Sequence, residues 1–112
     1  MRDVFPTLCE LAEAETPSNL DGISVVPELI GEKQKERDHL YWEYHSPFQQ
    51  AFRMGRWKVI RFGTEKPVEL YDLKTDEAEQ NDVAKDHPEL VAQAIKIMNE
   101  SRTPSRYWPA RP

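Results

Sequence analysis

Apolar residues recur along this chain first at helical spacing, then at strand spacing, then at helical spacing again. Val4, Phe5, Leu8, Leu11 and Ala12 lie three and four apart, which marks one helical face. Asp3 precedes them as a potential cap. Pro6 fits the first turn, where its missing N–H has no partner to lose. The helix is expected to end near Glu15, ahead of Thr16-Pro17-Ser18-Asn19. Asp21-Gly22 signals a turn. Val25, Val26, Leu29 and Ile30 follow, with a short helical turn over residues 27–30, Ser24 or Val26 near its start, and Gly31 closing it. Residues 32–38 form a charged loop.

From residue 40 the pattern becomes alternating. Leu40, Trp42 and Tyr44 predict one strand face, and His45-Ser46-Pro47 breaks the run. A second strand spans 49–54, with Gln50, Phe52 and Met54 on one side. Gly55-Arg56 is a tight hairpin, because glycine supplies φ > 0 without steric cost. Further strands are predicted over 57–62 and 68–73. Short links join neighbours, so these strands form an antiparallel meander. Residues 75–82 are an acidic surface loop. Asp86-His87-Pro88-Glu89 reads as a helix start with Asp86 as cap, and Leu90, Val91, Ala94, Ile95 and Met98 form its apolar stripe. Pro104, Pro109 and Pro112 exclude regular structure in the tail.

The predicted fold is α+β: a four-stranded antiparallel meander, a C-terminal helix packed on one face and a short N-terminal helix. One domain is expected over 1–112, with helix and linker at 1–38, sheet plus helix at 39–100 and an irregular tail at 101–112. A hydrophobic fraction of 38% against 31% charged residues suits a thin layer whose second surface expects a partner or self-associates. The net charge of −5, with Lys and Arg spread along the chain, argues against nucleic acid. No apolar run approaches the roughly 20 residues that cross a bilayer. Met1-Arg2-Asp3 does not open like a secretory leader.

Cys9 is the only cysteine, so neither a disulfide within the chain nor a Cys-based metal cluster is expected. It reads as a small buried hydrophobe rather than a nucleophile. Of the three histidines, His39 and His87 read as solvated surface residues, and no metal site is expected. His45 ends an aromatic strand and enters a loop, where binding groups are displayed on a rigid support. Tyr41, Trp42, Tyr44, Phe52 and Trp57 can stack on sugar rings; at strand spacing, Trp42 and Trp57 are assigned to the core.

Six segments, in order, resemble the C-terminal subdomain of a formylglycine-dependent sulfatase of the alkaline-phosphatase superfamily. They are Asp3-Val4-Phe5-Pro6-Thr7-Leu8-Cys9-Glu10-Leu11-Ala12, Asp21-Gly22-Ile23-Ser24-Val25-Val26-Pro27-Glu28-Leu29-Ile30-Gly31, Tyr41-Trp42-Glu43, Arg53-Met54-Gly55-Arg56-Trp57-Lys58, Glu69-Leu70-Tyr71-Asp72-Leu73 and Glu79-Gln80-Asn81-Asp82-Val83-Ala84. The resemblance implies a parent whose N-terminal catalytic domain holds calcium and formylglycine and hydrolyses sulfate esters of carbohydrates. It leaves that parent periplasmic, secreted or lysosomal. This chain contributes no catalytic residue and no cofactor of its own. Thr103-Pro104-Ser105-Arg106 resembles the tail of the C/S-x-P-x-R motif, but Arg102 stands where the oxidisable residue belongs. The expected substrate contacts are His45, Ser46, Phe48 and Gln49, with His45 bonding a sugar hydroxyl or, when protonated, a sulfate. The alternatives are a carbohydrate-binding module and a structural module.

Overall fold

The computed structural model describes residues 1–112, which divide into two compact units, 1–36 and 37–112.

The first unit holds helices α1 (Val4–Leu11) and α2 (Val26–Leu29). Asp3 stands at the N-cap position of α1, but its side chain makes no cap bond; Oδ1 instead accepts from the Ile23 amide at 3.0 Å. The Thr7 hydroxyl donates to the Asp3 carbonyl at 2.6 Å and accepts from the Val25 amide at 3.0 Å. Asp3 and Thr7 thus moor the extended segment 21–25 along α1. Gly22 is required there for space: a Cβ would lie 2.0 Å from the Arg2 carbonyl oxygen. The turn expected at Asp21-Gly22 is a close backbone approach.

Helix α1 ends four residues earlier than its composition predicts. Glu13 takes φ +53°, its amide bonds the Glu10 carbonyl, and the Ala14 amide bonds Cys9 at 2.9 Å. These two bonds make a Schellman stop, normally signalled by glycine. Glutamate at that position hid it. Pro6, Thr7 and Cys9 are buried, whereas Val4, Phe5, Leu8 and Leu11 are exposed. The predicted apolar stripe therefore faces outward from this unit. Cys9 is the buried small side chain its neighbours suggested.

The second unit is the predicted meander: β1 (Leu40–His45), β2 (Phe48–Met54), β3 (Trp57–Arg61) and β4 (Val68–Asp72), in spatial order β1-β2-β3-β4. Gly55 at φ +56° opens the β2–β3 turn, the geometry of a two-residue type II′ hairpin. Helix α3 (Pro88–Glu100) packs on one sheet face. Phe52, Val59, Val68, Leu70, Ala94 and Met98 form the core, flanked by half-buried Tyr41, Trp57, Leu90, Val91 and Ile95. Each large member contributes about 1.5–3 kcal/mol by leaving water.

Two details of α3 differ from expectation. Asp86 lies in a 3-10 turn (Ala84–Asp86), His87 is the N-cap, and no side chain caps the helix. Pro88 at the first helical position removes one amide that would need a cap, which lowers the demand. His87 and His39 are both half-buried, each packed against an aromatic ring. His87 packs 4.9 Å from the Trp57 ring. His39 lies 5.5 Å from the Phe52 ring, with Nε2 3.2 Å from the Ser101 hydroxyl.

Candidate functional site

The β1–β2 connection places the predicted contact residues. Pairing runs to His45↔Phe48, so Ser46 and Pro47, joined by a cis peptide bond, make a two-residue turn. Ser46 is exposed and Gln49 half-buried. Phe48 is only 5% exposed and points to the helix-covered side. His45 is half-buried; its Nδ1 is shielded from solvent and has no hydrogen-bond partner. Its ring lies 4.7 Å from that of Trp108 in the C-terminal tail. The fold thus brings His45 and Ser46 to one end of the sheet, with His45 beside a tail residue that strand and helix periodicity could not connect to it, while Gln49 pairs with Tyr44 on the opposite face.

Beneath that end runs a chain of polar side chains on the inner sheet face. Arg61 and Gln50 are 5% and 1% exposed. Arg61 Nε donates to Gln50 Oε1 at 2.5 Å and its Nη2 to Asn99 Oδ1 at 2.8 Å. Gln50 Nε2 donates to the Tyr41 hydroxyl at 2.6 Å, and Tyr41 donates to the Glu43 carboxylate. Arg102 Nε sits 3.0 Å from that carboxylate, an ionic contact without hydrogen-bond alignment. Burial, reinforced by the Glu43 hydrogen bond, pushes the Tyr41 hydroxyl far above the ordinary phenol range. Burial also lowers Arg61, against the opposing pull of Tyr41 and Glu43. The signal for this network was present in the register, since Glu43 faces Gln50 and Gln50 faces Arg61.

The opposite sheet face is open around β1, whereas Tyr71 of β4 is buried there. Trp42 and Tyr44 are 43% and 60% exposed there, so Trp42 is not core. It points away from α3, because strand alternation sends Tyr41 and Glu43 inward instead. A cleft of about 550 Å³ on this face is lined by Trp42, Ala51, Arg53, Lys58, Leu73 and Glu79. Lys58 and Glu79 pair at 2.5 Å. Tyr71, hydrogen-bonded to Glu69 at 2.8 Å, has its hydroxyl pushed up to about 12.

No three His, Cys, Asp or Glu side chains of this chain converge as a metal-ligand set. No helix is long and apolar enough to cross a membrane. Arg102, at the position an oxidisable residue would take in the tail motif, is committed to Glu43 and to the Trp108 carbonyl.

Residues 2–103 match the family model described as N-sulphoglucosamine sulphohydrolase, C-terminal. Among curated relatives, the Delta 4,5-hexuronate-2-O-sulfatase of Bacteroides thetaiotaomicron is 33% identical across 93% of this chain and 24% of its own length. Arylsulfatase K of Gallus gallus is 30% identical over 86% of this chain and 20% of its own. A solved 2-O GAG sulfatase superposes with a TM-score of 0.77 at 32% identity, over 88% of this chain and 23% of that one. The chain thus spans about a fifth to a quarter of the length of such relatives.

Proposed function

Since the chain belongs to the N-sulphoglucosamine sulphohydrolase C-terminal family, we propose that it is the non-catalytic C-terminal subdomain of a sulfuric ester hydrolase acting on sulfated carbohydrates. The observation that carries this reading is the family match over residues 2–103, in a chain that folds as sheet plus helix. The Bacteroides relatives include a hexuronate 2-O-sulfatase and an N-acetylgalactosamine-6-O-sulfatase, which supports a sulfated sugar as substrate.

In this reading the preceding domain of the parent supplies formylglycine and calcium, and bound calcium supplies charge neutralisation at the sulfate oxygens. This chain supplies a rigid support. The polar ladder from Arg61 to Glu43 holds the β1–β2 end of the sheet, where the half-buried His45 ring offers a polar edge to a sugar hydroxyl. Ser46 stands beside it in the turn as a further polar contact, Gln49 presents its amide on the opposite face next to Tyr44, and Phe48 acts from beneath by filling the core under the turn. The exposed α1 stripe and open sheet face are the surfaces available to the catalytic domain.

Expressing the full-length parent with His45→Ala tests the assignment. kcat/KM for a sulfated disaccharide falls about fivefold, the worth of one lost neutral hydrogen bond of about 1 kcal/mol. An unchanged value removes His45 from the site.

A second reading rests on Trp42 and Tyr44, exposed at alternate positions of β1. On that reading the open face itself takes sugar rings, as in a carbohydrate-binding module.

A further inference from the structure

The chain is acidic overall, yet residues 101–112 hold Arg102, Arg106 and Arg111 and no Asp or Glu. This tail lies almost wholly outside the family match, which ends at residue 103. It is nevertheless held in place. Arg102 Nη2 donates to the Trp108 carbonyl at 2.5 Å, the Tyr107 amide donates to the Ser105 hydroxyl at 3.2 Å, and the Thr64 amide donates to the Arg111 carbonyl at 2.9 Å.

The pinned backbone displays its rings rather than burying them: Tyr107 is 75% and Trp108 41% exposed. Rings that stay in water add little to folding, whereas rings on a fixed backbone suit recognition. The Arg106 guanidinium stacks 4.4 Å from the centre of the Tyr107 ring and bonds its hydroxyl, and no carboxylate neutralises it. Trp108 stands beside His45, whose shielded Nδ1 lacks a partner.

We infer that Arg106, Tyr107 and Trp108 extend the His45 surface into a subsite for a sulfated saccharide. The exposed indole face takes the C–H face of a pyranose. The planar guanidinium, presented by Tyr107, takes two sulfate oxygens through parallel N–H bonds. The substrate class rests on the reading above; the subsite itself rests on the tail.

Titrating the 112-residue chain with a chondroitin 6-sulfate disaccharide, followed by NMR, tests the subsite. Saturable shifts are expected at the Trp108 indole N–H and the Arg106 Nε–H. The unsulfated disaccharide should bind about tenfold more weakly or worse, the loss of at least one charge-assisted bond, and Arg106→Gln should show the same loss. Unshifted Met98 methyl signals in Arg106→Gln confirm an intact core. Shifts absent from Trp108 and Arg106, an equal response to both disaccharides, or Arg106→Gln binding like the wild type would each overturn the subsite. The functional reading fails separately, if the full-length parent releases no sulfate.

Discussion

Replacing Gln50 by Leu probes the polar ladder that supports the candidate site. Gln50 sits almost fully buried between a cation and a phenol: Oε1 accepts from Arg61, and Nε2 donates to Tyr41. The substitution costs one bond to a charged group, about 1.5–3 kcal/mol, and one neutral bond, about 0.5–1.5 kcal/mol. The expected loss is therefore about 2–4.5 kcal/mol, within the roughly 5–15 kcal/mol available to a domain of this size. Arg61→Met strands Gln50 Oε1 in the interior and costs about 1–3 kcal/mol. When both are replaced, neither leaves an orphan facing the other, and apolar groups of similar volume fill the space. The double variant should thus be less destabilised than the sum of the singles by at least about 1 kcal/mol. Urea unfolding of the four proteins, followed by far-UV circular dichroism, measures the cycle. Additivity within about 0.5 kcal/mol would refute a mutually satisfied buried pair.

Two further outcomes follow from single contacts. Gly22→Ala should drive the Arg2 carbonyl away and unzip segment 21–25 from α1, so amide exchange at Ile23 and Val25 should accelerate while β2 and β3 amides keep their protection; slow exchange at both positions would contradict the close approach. Arg56, donating through Nε to Asp72 at 2.6 Å, holds the Asp72 carboxyl at about 2, below the unfolded value of about 3.9. This contribution is complete above about pH 4 and is lost as pH falls through 2, so stability measured from pH 5 to pH 2 should decline less steeply in Asp72→Asn than in the wild type.

Most of the second unit was legible because its signals are local. Alternation at 48–54 and 57–61, glycine at the II′ position and the stripe on α3 all require the fold that forms. What escaped depends on contacts distant in sequence. Trp42 was assigned to the core because it is large and apolar, but the parity of β1 turns Tyr41 and Glu43 inward to meet Gln50. The end of α1 escaped because Glu13, not glycine, takes the left-handed position. Asp86 resembles a cap one residue too early, and Pro88 leaves little for it to cap. His45 was legible as the end of an aromatic strand. Its neighbour Trp108, 63 positions on, was not, since only the returning tail brings the two rings together.

The claim that this chain is a scaffold for chemistry performed elsewhere is tested most directly by sulfate release. The full-length parent and the isolated 112-residue chain would be incubated with the same sulfated disaccharide and Ca²⁺, and free sulfate measured by ion chromatography. The account predicts release by the parent and none above blank from the isolated chain. Turnover by the isolated chain, or a parent that leaves the sulfate ester intact, would contradict it.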